Sequence, residues 1–439
     1  MMPWLKRLNM LLLLMVFSTI VMSCSQETNS RNTSVSNLTI HLMESDKVLL
    51  DAMDKLNKKN QNVKIDATVF TDIEEYKYKN TTGLLSGDGP DIIVNRLEAL
   101  NNINRVASSG VFCDINQLII KDKDFKLSDY NEKILDYGVY RGKRYLIPIN
   151  YISSGMVTTQ EILDKNAISF HEADLTWQDL AAVIKNFMSA NKSQDKYFIN
   201  YMSFTQLLGS SGNMFIDYEN KKSTYESKDF IELLNLYKDI YPAICPSSIS
   251  SKYSSSELLN NGTVVMASIA EICSPYNLTA TNAEINRLLK QKTRIYGFPT
   301  WDKEDNTTVW PYYLLGINQK CKNSMEAFKY IKLLLSDEYQ KQTGKYGFDL
   351  TWYTPVRESA YKLDKESCLK GTVYGNVPLP NYLAQEMERI RGNIGVGKLY
   401  ESEVYEIIEK ELPAFLNGSK SAIETAKIIN QKITIYLNE

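Results

Sequence analysis

Between residues 38 and 94 the hydrophobic pattern switches from a period of two to a helical period and back, repeatedly, and no other feature restricts the fold as much. Leu38-Thr39-Ile40-His41-Leu42 alternates apolar and polar residues, as a strand with one buried face does. Over Lys47–Lys59, Val48, Leu49, Ala52, Met53 and Leu56 fall on one helical face. Residues 63–69 alternate again, and a second helix is predicted over Ile73–Ser86, stopped by Gly87-Asp88-Gly89-Pro90. Asp91-Ile92-Ile93-Val94 is a short apolar run of the kind buried on both faces of a parallel sheet. Strand, helix, strand, helix, strand predicts a doubly wound α/β unit.

The alternation continues more loosely. A helix is predicted near 97–108 and a strand at 145–149, whereas 155–305 is richer in helices, at 180–190, 204–208 and 228–241. Short strands are expected at 262–269, 295–299 and 312–318, an amphipathic helix at 325–335, and a mostly helical tail after Ala384. A chain of 439 residues exceeds one ordinary small domain and suits two lobes with sizeable cores.

The first residues have a separate logic. Lys6 and Arg7 form a basic start, and residues 10–21 are apolar apart from Ser18 and Thr19. That run is shorter than the ~20 residues that span a bilayer, and its flanks match a signal peptide. Val21-Met22-Ser23-Cys24 resembles a bacterial lipobox, in which the cysteine is acylated and becomes the new N-terminus. Residues 1–23 are therefore expected to be a signal peptide, Cys24 a lipidation site, and 24–36 a polar tether. The protein is expected at the extracellular face of the cell membrane, lipid-anchored.

Composition removes several classes of function. Without the two basic residues of the signal, the net charge of −2 becomes −4, with no basic stripe for nucleic acid. Beyond Cys24, Cys113, Cys245, Cys273, Cys321 and Cys368 are scattered and odd in number, which is no disulfide framework; mostly buried thiols are expected. There is no C-x-x-C pair, and the only histidines are His41 and His171, so no metal site or histidine catalysis is expected. No phosphate-binding glycine loop occurs, and Asp302-Lys-Glu-Asp-Asn306 lacks the glycine and glutamate of a calcium loop. No cofactor is expected.

Five segments, in order, carry a resemblance. Ser86-Gly-Asp-Gly-Pro-Asp-Ile-Ile93 comes first, then Gly138-Val-Tyr-Arg-Gly-Lys-Arg-Tyr-Leu-Ile-Pro148 and Asn261-Gly-Thr-Val-Val-Met266. Tyr296-Gly-Phe-Pro-Thr300 follows, with Ala327-Phe-Lys-Tyr-Ile331 and Ser336-Asp-Glu-Tyr-Gln340 behind it, and finally Gly418-Ser-Lys-Ser421 with the helix to Glu439. Together they resemble extracellular solute-binding proteins of family 1, the group containing maltose-binding protein. The resemblance implies two α/β lobes joined by hinge crossovers, periplasmic-binding-protein-like (type II), with ligand held in the cleft between them. Lobe one is expected at 37–150 plus 312–352, and lobe two at 151–311 plus 353–439. It also implies a monomeric, non-enzymatic carbohydrate receptor that delivers to the permease of an ABC importer.

Candidate ligand contacts lie just beyond strands that should face this cleft. Glu44 and Asp46 follow the first strand, where helix capping and ligand contact are both open. Asn95 and Arg96 follow 91–94; an amide and a planar guanidinium suit sugar hydroxyls, and Asn95 is equally placed to cap a helix. Asn150 and Tyr151 should face the cleft near the hinge. Glu271 stands where relatives often carry a sugar-stacking tryptophan, a departure that argues against a maltodextrin and for a more polar saccharide. Trp310, Trp352 and Tyr353 offer flat apolar faces with polar edges, either for a sugar ring or for the core. Trp177, in Thr176-Trp177-Gln178-Asp179-Leu180, reads as a structural helix start. A lipid-anchored glycoside hydrolase and a sugar-sensing receptor for a sensor kinase are the competing readings.

Overall fold

The computed structural model describes residues 36–60, 63–96, 103–170, 175–191, 195–211, 215–301, 309–341, 353–395 and 402–438. Cys24, expected above as a lipidation site, His171, the 302–306 loop and Trp352 lie outside them.

The first unit follows the alternation read above: β1 (Ser36–Met43), α1 (Lys47–Lys59), β2 (Val63–Phe70), α2 (Ile73–Ser86) and β3 (Ile92–Arg96). Helix α1 buries Val48, Leu49 and Ala52, and its last turn carries Lys58 and Lys59, which suit the negative end of the helix dipole. Helix α2 is capped by Asp72, whose carboxylate accepts from the Glu75 N–H at 2.7 Å. It ends at Gly87 with φ of 85°, where a Cβ would run into the Lys320 side chain. That is the physical content of the Gly-Asp-Gly-Pro turn.

Later come β4 (Leu146–Pro148), β5 (Asn150–Ile152), β6 (Gly155–Thr159), α3 (Trp177–Ala190), β7 (Tyr197–Ile199), α4 (Lys228–Ile240), β8 (Val264–Ile269), α5 (Pro275–Leu289) and β9 (Thr293–Gly297). The chain continues through β10 (Trp310–Pro311), β11 (Tyr313–Ile317), α6 (Ser324–Leu334) and β12 (Thr354–Pro355). It closes with α7 (Glu358–Leu369), α8 (Asn381–Gly392), α9 (Ser402–Leu416) and α10 (Ala422–Asn438). At α3 the Thr176–Asp179 capping box is formed, and Trp177 is fully buried with its indole N–H donating to Ser210 Oγ at 2.6 Å.

Two sheets organise the chain. The first has the order β2-β1-β3-β11-β4, and the second β9-β6-β8-β7. Strands β2 and β3 run parallel to β1, but β11 is antiparallel to both β3 and β4, so the first sheet is mixed and not wholly parallel. In the second sheet β6 is antiparallel to β8 and β9, and only β7 is parallel to β8. Core residues divide accordingly. Leu38, Ile40, Val94, Leu315, Phe328 and Ile331 share the first cluster. On the second sheet Met156 and Met266 face Trp177, Phe230, Phe415 and Ile429, whereas Val157 and Ala267 face Leu278, Leu383 and Met387. Adjacent strand residues point to opposite faces, so helices cover that sheet on both sides. The C-terminal helices α9 and α10 belong to the second unit through Ile408, Leu412 and Ile433.

A third, three-stranded sheet, β10-β5-β12, lies where the chain passes between the two. Tyr151 pairs with Pro311 on one side and Thr354 on the other. Pro311 and Pro355 have no N–H to give a ladder, so they stand on the edge strands and keep this crossing narrow. Residues 91–94 were expected as the strand with Asn95 and Arg96 beyond it; both are instead its last residues. Likewise Asn150, Tyr151 and Trp310 lie within strands of the crossing sheet and not after or before one. Cys113, Cys245, Cys273, Cys321 and Cys368 are free thiols, all buried except the half-buried Cys113.

Candidate functional site

The carboxyl ends of β1 and β3 and the start of β11 meet at one edge of the first sheet, where Tyr313 pairs with Arg96. There Asp46 is fully buried; its carboxylate accepts from the Met43 N–H at 2.8 Å and the Tyr313 hydroxyl at 2.7 Å. Arg96 completes the group, with Nη1 3.3 Å from Asp46 Oδ1. Burial raises the Asp46 carboxyl, against the opposing pull of Arg96, Tyr313 and Met43. Burial alone would depress the Arg96 guanidinium, but Asp46, Tyr313 and Tyr312 together outweigh it and hold the group charged. Asp46 makes no capping hydrogen bond to α1, so its role is to seat Arg96.

From this anchor Arg96 reaches toward the crossing sheet. Nη1 donates to Ser45 Oγ at 3.1 Å and Nη2 to the Tyr312 hydroxyl at 2.9 Å. The Tyr312 ring stacks on Tyr353, centroids 4.2 Å apart and planes 26° from parallel. Tyr353 precedes Thr354, whose hydroxyl donates to Glu271 Oε2 at 3.2 Å. A continuous band therefore runs from an arginine on the first sheet, across two stacked phenols, to a carboxyl just beyond β8 of the second. Carboxyl ends of strands facing an interface are where open α/β sheets hold ligands.

Asn150 is buried on the side of the crossing sheet that meets β11; its Oδ1 accepts from the Tyr313 N–H at 3.0 Å, and its Nδ2 has no hydrogen-bond partner. Tyr151 is buried on the other side, its hydroxyl accepting from Arg391 Nε at 3.3 Å. Arg391 is itself paired with Glu358 at 2.6 Å and lies over the Tyr361 ring at 3.8 Å from the centroid. Glu271 is buried at 7% exposure, and Oε1 has no partner. Burial drives its carboxyl well above the ordinary range, and Thr354 and the Ser153 backbone only partly oppose this. Burial likewise raises the phenols of Tyr151 and Tyr353, so both stay neutral.

Thus Arg96, Asn150, Tyr151, Glu271 and Tyr353 are brought to one crossing region. Asn95, buried and paired in register with Leu314, adjoins Arg96. Glu44 is exposed beside Ser45, its N–H bonded to the Phe70 carbonyl. Trp310 meets Tyr405 of α9 edge to face, with centroids 6.4 Å apart. Sequence reasoning passed over Tyr312, Thr354 and Arg391. Tyr312 read as the start of a strand, and Arg391 fell within the helical tail expected after Ala384 with no signal of its own. Only the aromatic-rich Trp310-Pro-Tyr-Tyr313 string hinted at the stack.

The comparisons agree with this geometry. The model of the bacterial extracellular solute-binding protein family matches residues 42–341. No curated protein sequence matches the chain. Among solved structures, the sugar-binding protein MalE from Xanthomonas citri is similar at 14% identity and TM-score 0.69, over 92% of this chain and 98% of that one. The ABC substrate-binding protein Lmo0181 from Listeria monocytogenes, solved with cycloalternan, is similar at 17% identity and TM-score 0.62, over 92% and 99%. The GacH receptor of Streptomyces glaucescens GLA.O, solved unliganded and with acarbose, is similar at 15% identity and TM-score 0.60, over 92% and 99%. The architecture is that of type II periplasmic binding proteins such as MalE. With two α/β sheets meeting at a three-stranded crossing and a family match over most of its length, the chain belongs to the bacterial extracellular solute-binding proteins.

Proposed function

We propose that the protein is the lipid-tethered carbohydrate receptor of an ABC importer. It would hold a mono- or oligosaccharide between lobe one (37–150 plus 312–352) and lobe two (151–311 plus 353–439) and pass it unaltered to a permease. The supporting observation is the Tyr312–Tyr353 stack flanked by Arg96 and Glu271. Sugar rings present flat C–H faces to aromatic rings, while their hydroxyls both donate and accept. In this reading Glu44, Asn95, Arg96, Asn150, Tyr151, Glu271, Trp310 and Tyr353 are the ligand contacts. Structures similar in fold carry cycloalternan, acarbose and, in a protein from Thermotoga lettingae, α-D-tagatose.

A ligand that touches both lobes binds the closed arrangement better and shifts the population toward it, which gives the permease a distinct surface to recognise. The mature N-terminus would be the acylated Cys24, with 24–36 as its tether. A saccharide panel followed by thermal shift and small-angle scattering tests the reading. A true ligand raises the melting temperature by mass action and compacts the molecule. Stabilisation by no saccharide would overturn it, and release of reducing ends from a glycan would move the assignment to a hydrolase.

A further inference from the structure

The crossing region holds two guanidiniums and three carboxyls. Arg96 is matched by Asp46, and Arg391 by Glu358. Glu271 is the unmatched one: among the described residues no lysine or arginine lies within ion-pair distance of it. What faces it comes from every neighbouring element and is uncharged. From β5 comes Tyr151, and just after it Ser153, whose backbone pairs with residue 271 in an isolated bridge and partly opposes the rise of its carboxyl. From β12 and the residue before it come Thr354 and Tyr353, and from its own segment Cys273, a fully buried thiol pushed up to about 12.

A carboxylate in such surroundings forfeits most of its hydration without a counter-charge, so the acid form is the one this site holds. The acid still leaves one atom unsatisfied. Oε2 is engaged by Thr354, whereas Oε1 is buried with nothing to bond. A leucine-sized apolar side chain placed at the same spot would leave no such defect, so the glutamate weakens the fold where it stands. A buried orphan polar atom calls for an explanation, and a ligand bound at the crossing would complete this one.

We propose that Glu271 sets the ligand class of this cleft: its protonated Oε1 donates to an oxygen of an uncharged saccharide, so the site accepts neutral sugars and discriminates against hexosamine cations and uronate anions. The inference rests on the carbohydrate reading above. An ammonium group would have to ionise Glu271 inside a buried aromatic setting, and a ligand carboxylate would find both guanidiniums already taken. A neutral hydroxyl or ring oxygen asks for neither. Proton-linked binding then has a definite sign. Affinity for a neutral sugar is constant while Glu271 is protonated and falls as pH rises through its titration, because only the acid can donate.

The experiment uses the mature chain, with maltotriose, raffinose and xylotriose as neutral probes, the trisaccharide of glucosamine as the cation and trigalacturonate as the anion. Affinities are measured by calorimetry between pH 5 and pH 9 for wild type, Glu271→Gln and Glu271→Leu. The expected result is that wild type takes a neutral probe in preference to both charged ones. Glu271→Gln, an uncharged mimic of the acid, should keep the low-pH affinity within about threefold and lose the pH dependence. Glu271→Leu should melt at or above wild type yet bind about tenfold or more weakly, the size of a lost buried hydrogen bond. Preference for the cation, affinity that rises with pH, or undiminished binding by Glu271→Leu would overturn the proposal while sparing the carbohydrate reading. Failure of wild type to bind any of the five removes both.

Discussion

Asp46 and Arg96 are held together by the expense of separating them. Asp46 is fully buried and Arg96 keeps 17% of its side chain exposed, so removing the negative partner strands a guanidinium that water barely reaches. Asp46→Asn is expected to cost about 3 kcal/mol or more in urea unfolding, the size seen when one half of a buried pair is lost. Glu271 behaves in the opposite sense. Its folded-state affinity for protons is raised, so stability is fully present below the unfolded carboxyl value of ~4.3 and is lost as pH rises toward the folded value. Glu271→Gln should remove that loss. The stability gap between variant and wild type should widen with pH across that window, by up to about 1.4 kcal/mol per pH unit, and then level off. A gap independent of pH would show the acid to be solvated. The sequence placed Glu271 and Arg96 at strand ends, but the state of charge of each depends on partners 83 and 50 positions away, which no local pattern encodes.

At the scale of elements, legibility followed length. Strands β1 to β3 and helices α1 and α2 were readable because each is long enough for a period to repeat. The crossing strands Asn150–Ile152, Trp310–Pro311 and Thr354–Pro355 are too short to show any period, so the element that positions the candidate site was invisible. Two of the quoted motifs turned out to be packing and capping devices. At Gly138, which opens the 138–148 segment, an added Cβ would run into the Leu146 carbonyl, so Gly138→Ala should destabilise the first unit or prevent its folding. Thr176→Ala breaks the capping box of α3 and should cost about 1 kcal/mol, measurable as a shifted denaturation midpoint with unchanged slope. An unaffected midpoint would mean that the cap is redundant with the burial of Trp177.

For the molecule as a whole, the crossing sheet is tied to the second unit through specific side chains. Arg391, on α8, ties the crossing strand through Tyr151 and holds Glu358 at the head of α7. Arg391→Ala should therefore lower the melting temperature and split or broaden the calorimetric transition, as expected when coupling between units weakens. A single, unshifted transition would place the coupling elsewhere. The crossing sheet has one further consequence. The polypeptide traverses it an odd number of times, three, so its opening strand belongs to one half and its closing helix to the other. A donor dye fused ahead of Ser36 and an acceptor after Asn438 would thus ride on opposite jaws, and energy transfer between them would read out their spacing as guest molecules come and go.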